Sequence, residues 1–533
     1  MPQQFVPLAE RIAEALLESS PATASFAGDH RFDAELPDFS PDGVIARTSM
    51  LRDAADVLSQ VDVEALPPAE ATDHAILSTM VDRQLFELTD LRQHEWNPLQ
   101  HNPGALLHAL MARPFAPVAQ RLDSLAGRLE KIPDSLAVAR TVLRDCPRIH
   151  LETAAGQFAG SAALVRDEIP ALLAEAPELA GLVNPVAVKA AEALQEFGAW
   201  CAARASEGDG RDPRLGRRLW DARLWYTLDT ELSAAEVLKR AWDNLERVSE
   251  ELRDALGVTD PAGVREALDR LAEEHPDNES ILRLAQESMA DTTQFVREHD
   301  LLTLIDDPLV IQEMPEFARG VAVAYCDPPG ELETARTPTF YCIAPTPADW
   351  PAERVKSFYR EYNNHMVRNL TVHEAMPGHF LQLAHSRRYR GSSRARALGF
   401  SGPFVEGWAV YAEELMVDHG FGGVPVRAQQ LKMQLRMTIN ALLDQLVHCE
   451  GLSEADGMEL MQSRGFQEEG EAAGKWRRAL LSSTQLSTYF VGYSEVSAIA
   501  KARPEGVSLR DWHDAMLAQG SPSPRHLRAL LSM

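Results

Sequence analysis

The sequence is poor in cysteine and has no long apolar run. Its 533 residues include five cysteines, none of them in a Cys-x-x-Cys pair. This spacing excludes a dense disulfide framework and predicts reduced, buried thiols. No stretch of about 18 apolar residues is present, and the N-terminal residues lack a basic segment followed by an apolar one. These absences predict a cytoplasmic protein without a membrane-spanning helix.

Positive charge is also scarce. The chain carries 52 Lys and Arg residues against 79 Asp and Glu residues, which gives a formal charge of −27. A field of this sign repels nucleic acids and anionic membranes, so we expect neither as a partner. Apolar residues make up 45% and charged residues 25% of the chain, as is typical of an ordinary globular protein.

Helical patterns fill residues 1–300. Apolar residues recur there at spacings of three and four, for example in 234–256, and clusters of Pro, Gly and Asp separate the segments. Ser233 and Glu236 form a Ser-x-x-Glu pattern, which predicts a capping box at the start of one helix. The chain is long enough for two to four domains or one large helical body.

A short stretch in the middle of the chain has a different pattern. Three segments, 308–315, 320–326 and 337–345, are rich in β-branched and aromatic residues and are bounded by Pro or Gly. They predict a small sheet, so the expected fold class is mainly α with one small β-sheet. Pro338 and Pro345 flank the core of the third segment, which favours an edge strand. Such a strand can pair with an extended peptide, although a structural hairpin explains the same residues equally well.

The segment TVHEAMPGHFLQ, residues 371–382, begins like the zinc-hydrolase helix H-E-x-x-H but brings its second histidine late. In that motif, two histidines one turn apart bind zinc, and the glutamate beside the first acts as general base. Here His379 follows His373 by six residues, which is roughly 240° around a regular helix. On a straight helix, the two imidazoles would not converge on one metal ion.

Pro377 and Gly378 offer a way to bring the two histidines together. Pro377 lacks the N–H that would bond the carbonyl four residues earlier, and Gly378 accepts almost any backbone conformation. We therefore predict a break in the helix between the histidines, which would let both act as metal ligands. The alternative is that Thr371 and Glu374 form a capping box, which would give Glu374 a structural role.

Glu406 is the candidate for a third ligand. It lies 27 residues after His379 in the strongly apolar segment FVEGWAVYAEEL, where an unpaired carboxylate would be costly to bury. Glu413 falls at nearly the same helical angle but about 10 Å along the axis, so it cannot readily share a metal ion with Glu406. We assign Glu413 to supporting the site or contacting substrate, and we regard Glu414 as a solvated helix end.

Four motifs in the second half of the chain resemble the signature of a bacterial family known as domain of unknown function 885. They are His373-Glu374-x-x-Pro377-Gly378-His379 followed by Gln382; EGWAVYAEEL from Glu406; Asp444-x-x-x-His448; and Arg478, Gln485, Tyr489 and Gly492. Their order and spacing over residues 308–500 make the resemblance specific. Where the family has Pro-Gly before the glutamine, this chain has Ser483-Thr484, which can alter the turn before Tyr489.

Members of that family look like distant relatives of the gluzincin zinc peptidases, large helical enzymes with a deep substrate groove. The resemblance implies one Zn2+ per chain, with His373, His379 and Glu406 as its ligands. It implies that Glu374 serves as general base and then as general acid.

The resemblance also implies how the chain is organised around such a groove. Residues 1–300 would form a helical region that contributes to the groove. Residues 301–533 would form the metal-binding catalytic region, with the small sheet beside the active-site helices. We expect one continuous body rather than independent domains.

A tyrosine beside the scissile carbonyl is a further implication of the resemblance. Tyr489 would donate a hydrogen bond to the oxyanion of the tetrahedral intermediate, and Tyr493 is the less favoured candidate. The alternative for either tyrosine is a hydroxyl that is satisfied elsewhere in the fold.

Several other residues are candidates for contacting substrate or supporting the site. His448 could orient a ligand or bind substrate, with Asp444 fixing its tautomer from one turn earlier. Arg478 could hold a substrate carboxylate or pair with Glu471. The remaining candidates are Gln485 and Tyr341.

Taken together, the residues and the resemblance predict a cytoplasmic zinc-dependent peptidase that hydrolyses short peptides. Two alternatives stay open. One is a metal-dependent hydrolase of a non-peptide amide, with the same site and a different groove. The other is a non-catalytic helical binding protein without a competent metal.

Overall fold

The computed structural model describes residues 5–208, 210–314, 323–347 and 350–533. Within these ranges the chain is mainly helical and has one three-stranded sheet, as predicted. In the same ranges, no helix combines the length and the apolar character needed to cross a membrane.

The helices before residue 209 are long and follow one another closely. Short 3-10 or π turns join some of them. They are α1 (Phe5–Ser19), α2 (Pro21–Ala27), α3 (Pro41–Ser59), α4 (Pro68–Phe86), α5 (Gly104–Ala112), α6 (Val118–Val142), α7 (Arg148–Glu175) and α8 (Ala180–Glu207).

Four more helices precede the sheet, and the remainder follow it. The first group and the strands are α9 (Arg217–Leu228), α10 (Ala234–Leu256), α11 (Pro261–Ala272), α12 (Ile281–Glu298), β1 (Leu309–Glu313), β2 (Ala324–Asp327) and β3 (Thr339–Ile343). The later helices are α13 (Ala352–Glu361), α14 (Asn364–Glu374), α15 (His379–Ser386), α16 (Ala395–Leu398), α17 (Gly402–Asp418), α18 (Gly423–Gln445), α19 (Glu454–Glu459), α20 (Glu469–Leu481), α21 (Ser487–Lys501), α22 (Leu509–Leu517) and α23 (Pro524–Leu530).

The chain divides into two compact units whose segments alternate along the sequence. Unit 1 comprises Met1–Pro213, Pro329–Thr337 and Gly391–Gly399. Unit 2 comprises Arg214–Pro328, Pro338–Arg390 and Phe400–Met533. The deep groove and the boundary near residue 300 stay predictions.

Two apolar clusters stabilise unit 1. One joins α1, α3 and α4 to the short helix α16 and includes Leu16 and Leu398. The other lies among α5 to α8 and includes Phe158 and Phe197, whose ring centroids are 4.6 Å apart. Burying such apolar faces is the main stabilising term for helices of this kind.

Unit 2 has one large apolar core, into which α18 is inserted. Nearly every residue from the middle to the end of α18 is buried, as expected for a helix surrounded by others. α10 spans the predicted residues and begins with the predicted capping box. The Ser233 hydroxyl accepts from the Glu236 N–H, and the Glu236 carboxylate accepts from the Ser233 N–H.

The sheet lies in unit 2 and has the strand order β1-β3-β2. β1 runs parallel to β3, and β2 runs antiparallel to it. The prediction of an edge strand over residues 339–344 is wrong, because β3 (Thr339–Ile343) is the central strand. Pro338 and Pro345 lie outside β3, so neither removes an N–H from the ladder. Residues 315 and 320–322 of the predicted segments lie outside the described residues.

Candidate metal centre

The helix that carries the first histidine ends between the two histidines, as predicted. α14 ends at Glu374 and α15 begins at His379. The Ala375 and Met376 N–H groups both donate to the Thr371 carbonyl, at 3.0 and 3.1 Å. The peptide bond between Met376 and Pro377 is cis.

The capping-box alternative for the same segment is wrong. Thr371 lies inside α14, and its hydroxyl donates to the Val367 carbonyl one turn earlier, at 2.9 Å. The residue that caps α14 is Asn363, whose side chain accepts from the N–H groups of His365 and Met366. Glu374 is therefore free of a capping role.

Gly378 is required by close packing of the backbone at the break. A Cβ atom on this residue would lie 2.0 Å from the His373 carbonyl oxygen and 2.3 Å from the Val372 oxygen. The indole N–H of Trp408, on α17, donates to the Pro377 carbonyl at 2.9 Å. The helix that carries the third candidate ligand thus also holds the break in place.

The three predicted ligands come together in unit 2. Their donor atoms all lie within 4.8 Å of one another. The Nε2 atoms of His373 and His379 are each 3.5 Å from the same carboxylate oxygen, Oε2 of Glu406. The two imidazole rings are nearly perpendicular, with centroids 4.7 Å apart. Both histidines are buried and Glu406 is partly exposed.

Glu413 contacts the first histidine from the side opposite its Nε2. The Nδ1 atom of His373 donates to Glu413 Oε1 at 2.7 Å, and the Asn369 amide donates to the other carboxylate oxygen at 2.5 Å. This contact fixes the His373 tautomer that leaves Nε2 available as a ligand. The supporting role predicted for Glu413 agrees with this geometry. Asn369 was missed, although it lies one helical turn before His373.

Burial and mutual charge shift the pKa values of the acidic groups in opposite directions. Burial raises the pKa of Glu374, only partly offset by the charges of His373 and His379, while the Glu406 charge raises it further. Burial would also raise the pKa of Glu406, yet contacts with the two imidazoles hold it well below its ordinary value. Both carboxylates interact with the same two histidines, yet the pKa of Glu374 is raised and the pKa of Glu406 is lowered.

The edge strand β2 lies close to Glu374. The backbone of Cys326, on β2, lies near the Glu374 carboxylate and favours its charged form. Sequence reasoning missed this contact, because a backbone amide carries no signature in the side chain. Tyr341, on the neighbouring β3, is fully buried, and its hydroxyl lies 3.2 Å from that of Thr371 on α14. It supports the helix rather than lining the site.

A close crossing of α17 and α21 determines where Tyr489 lies. A Cβ atom on Gly407 would lie 2.3 Å from the backbone of Gly492, and one on Gly492 would lie 2.1 Å from the Pro403 carbonyl. Glu406 adjoins the first glycine, and Tyr489 lies one turn before the second. Small residues at a crossing let two backbones approach closely.

Tyr489 is part of the group around the candidate ligands. Arg478 and the Gln485 amide donate to its hydroxyl oxygen at 3.3 and 3.5 Å, which leaves the phenolic proton available for donation. Burial raises the pKa of Tyr489, and the negative charge of Glu406 raises it further. Tyr493 instead donates to Glu414 at 2.7 Å. The solvated role expected for Glu414 is therefore wrong.

The predicted pairing of Asp444 with His448 is wrong. His448 accepts the Leu215 N–H at Nδ1, and its Nε2 donates to the carbonyls of Ala479 and Ser482, at 2.9 and 2.8 Å. This set leaves no ring atom for Asp444. The alternative pairing of Arg478 with Glu471 is not found among the described residues, where Glu471 pairs with Arg436.

Asp444 instead holds the turn that precedes α21. One oxygen accepts the Thr484 N–H at 2.8 Å and the Trp220 indole N–H at 3.1 Å. The other accepts the N–H and the hydroxyl of Ser487, at 3.0 and 2.8 Å. Thr484 has φ of 65°, a left-handed conformation that favours glycine. Its position is the one where the family motif has glycine.

Comparisons with known proteins identify relatives of unknown function. One solved structure, described as "a putative lipoprotein of unknown function from Shewanella oneidensis", is 25% identical with a TM-score of 0.83 and covers 100% of both chains. A second, described as "the putative lipoprotein from Colwellia psychrerythraea", is 16% identical with a TM-score of 0.81, covering 99% of this chain and 98% of its own. No curated protein matches. The bacterial family of proteins of unknown function DUF885 matches residues 21–531, so the chain belongs to that family.

Proposed function

We propose that this protein is a zinc-dependent peptidase that hydrolyses short peptides. The observation that carries the proposal is the convergence of two imidazole nitrogens and one carboxylate oxygen within 4.8 Å, with Glu374 next to the first histidine in the chain. Two histidines and a glutamate form a ligand set that hydrolytic zinc sites use, with one position left for water or substrate.

The arrangement of the three donor atoms is better explained by a shared divalent cation than by hydrogen bonds among the side chains. Oε2 of Glu406 is buried, and within the described residues it has no hydrogen-bond partner, although two imidazoles stand 3.5 Å away. The Glu413 carboxylate orients His373 in the manner of a carboxylate behind a metal-bound histidine. An uncompensated buried carboxylate oxygen is costly unless a cation neutralises it.

Each remaining residue has a defined task in peptide hydrolysis. When bound, zinc would act as a Lewis acid, which would polarise the substrate carbonyl and lower the pKa of water. Glu374 accepts the proton of the attacking water and returns it to the leaving amine, a role that its place beside the first histidine suits. Tyr489 donates a hydrogen bond to the carbonyl oxygen as negative charge develops there.

Metal content is the first test of this proposal. We expect about one zinc per chain in the wild-type protein by elemental analysis, and loss of most of it in His379→Ala. A matched control is His385→Ala, because His385 lies on the same helix but bonds the Thr303 carbonyl. A wild-type protein that stays free of metal after zinc is supplied would favour a non-catalytic binding protein instead.

Turnover is the second test. Glu374→Gln is expected to keep its zinc and to lose activity by a factor of about 1,000 or more, because it removes the general base. Glu414→Gln, a carboxylate on α17 that pairs with Lys501 and Tyr493, is the control. A panel of short peptides against acylated amino acids and other small amides separates a peptidase from a hydrolase of non-peptide amides.

A further inference from the structure

Three cationic side chains, two of them buried and the third partly exposed, lie on two helices of unit 2, and one of them contacts Tyr489. Arg436 lies on α18, and Lys475 and Arg478 lie on α20. Residues three apart share one face of a helix, so Lys475 and Arg478 project to the same side. The exposed fraction is 6% for Lys475 and 9% for Arg436. In a chain with a formal charge of −27, this concentration of buried positive charge is unusual.

The carboxylates around these cations do not balance them. Arg436 pairs with Glu471 and lies 3.8 Å from Glu361, which Lys432 also contacts at 2.8 Å. Lys475 and Arg478, by contrast, pair with no carboxylate in the part of the chain that the structure describes. A lysine side chain buried to this extent is costly to leave without a carboxylate partner, and a structural role alone does not explain it.

The neighbouring guanidinium groups make the environment of Lys475 still more cationic. Burial lowers the pKa of Lys475 well below its ordinary value, and the charges of Arg436 and Arg478 lower it further. A negative group placed among these three side chains would relieve that repulsion. The cluster therefore has the character of a site for an anion.

The cationic cluster adjoins the candidate metal centre. Arg478 donates to Gln485 at 2.8 Å and to the Tyr489 hydroxyl at 3.3 Å. The Tyr489 phenol lies within the electrostatic influence of both Glu406 and Arg436. Tyr489 thus contacts one of the three cations directly and is influenced by the charge of a candidate metal ligand.

We propose that Arg436, Lys475 and Arg478 bind the C-terminal carboxylate of the peptide, so that the bond hydrolysed lies close to the peptide's C-terminus. Guanidinium groups match the geometry of a carboxylate and bind it through paired hydrogen bonds, while an ammonium adds charge. This inference rests on the proposed function, because it assigns the substrate of that same site. It makes the protein an exopeptidase that acts from the C-terminal end.

The test compares three ligands of equal length: one has a C-terminal carboxylate, one has no carboxylate, and one has a side-chain carboxylate only. They are N-acetyl-trialanine, its C-terminal amide, and the amide of N-acetyl-Ala-Ala-Glu, which carries its carboxylate on the side chain. Binding is measured by calorimetry on the full-length Glu374→Gln protein, so that turnover does not interfere. We expect the free acid to bind about tenfold or more tightly than either amide. Equal binding of the acid and its amide, or tight binding of the side-chain acid, would overturn the proposal.

Lys475→Met on the same background is the decisive variant. Methionine keeps much of the apolar stem, so the preference for the free acid should shrink to less than about threefold while binding of the amide stays the same. Because the variant removes an unpaired buried charge, its melting temperature should rise. The adjacent exposed Arg477→Met loses the same charge on another face of α20 and should keep the full preference.

The readouts separate this inference from the proposed function. Binding selectivity needs neither zinc nor turnover, whereas peptidase activity of the wild-type protein needs both. Selective binding of the free acid without cleavage of any peptide would reject the peptidase and retain the carboxylate site. If Lys475→Met fails to fold, Arg478→Lys provides the second variant: it keeps the charge but loses the paired geometry, and its preference should fall to an intermediate value.

Discussion

Two breaks between helices position residues of the candidate site, and they use different means. The break between α14 and α15 contains Gly378, where the His373 carbonyl oxygen occupies the space that a Cβ atom would need. The break between α20 and α21 contains Thr484, which has positive φ but whose N–H is held by the Asp444 carboxylate. The first brings a histidine to the candidate metal centre, and the second leads into Tyr489.

The difference shows that a position can favour glycine for two separate reasons. At Gly378 the requirement is space, since a carbonyl oxygen occupies the volume of a Cβ atom, and no other residue meets it. At Thr484 the requirement is only a backbone conformation, which another residue can adopt at a cost of about 1 kcal/mol. The four hydrogen bonds that Asp444 accepts around the turn offset such a cost.

Gly378→Ala is expected to have the largest effect. The added methyl group meets two carbonyl oxygens, so we expect a loss of roughly 3 kcal/mol or more in the free energy of unfolding, together with loss of zinc. Urea unfolding and elemental analysis measure the two effects. Gly474→Ala is the matched control, because its Cβ would meet no atom within 4 Å. A Gly378→Ala protein with full zinc and unchanged stability would contradict the space requirement.

Trp408→Phe comes next and tests what holds the first break. It removes the donor to the Pro377 carbonyl and leaves a cavity in the core, which together should cost about 3 kcal/mol. Weaker zinc binding should accompany the loss, because the same break sets the position of His379. Trp242→Phe, at a partly exposed position, should cost far less. Equal losses in both variants would show that the indole contact does not hold the break.

Asp444→Asn is expected to cost about 2 kcal/mol and tests what holds the second break. The asparagine amide keeps the shape of the carboxylate, but its NH2 group cannot accept hydrogen bonds. Some of the four hydrogen bonds are therefore lost. Because the turn leads into Tyr489, the rate of peptide hydrolysis should fall while zinc content stays constant. A variant that loses zinc instead would show that the two breaks are not independent.

Thr484→Gly should have the smallest effect, because its gains and losses nearly cancel. Glycine adopts the left-handed conformation without penalty, but it loses the hydroxyl contact with Thr227 and gains freedom in the unfolded chain. We expect a net change of less than about 1 kcal/mol in the free energy of unfolding, measured by urea unfolding. A loss of more than about 1 kcal/mol would mean that the threonine side chain, rather than the backbone conformation, is what the turn needs.

Local signals in the sequence predicted the features that depend on neighbouring residues. The start of α10 follows from the Ser233–Glu236 capping box, and the break before His379 follows from Pro377 and Gly378. The grouping of Glu406 with the two histidines was predicted because Glu406 is a carboxylate in a strongly apolar segment, and the three donor atoms do lie together.

Features that depend on distant partners could not be predicted in this way. The central place of β3 is fixed by pairing with two strands, and a flanking proline says nothing about them. The partners of Asp444 lie 40 residues or more from it, so the nearby His448 was the wrong choice. The Cys326 amide reaches Glu374 through the backbone, and no side-chain pattern encodes it.

The crossing at Gly407 and Gly492 has a consequence for how this family can vary. Neither position tolerates a methyl group, and the two lie against each other, so a mutation at one cannot be compensated by a smaller residue at the other. Substitutions at these two glycines therefore cannot change the distance between the Glu406 carboxylate on α17 and the Tyr489 phenol on α21 in small steps. If the proposed function holds, new specificities would arise on α20, where Lys475 and Arg478 lie, rather than at this crossing.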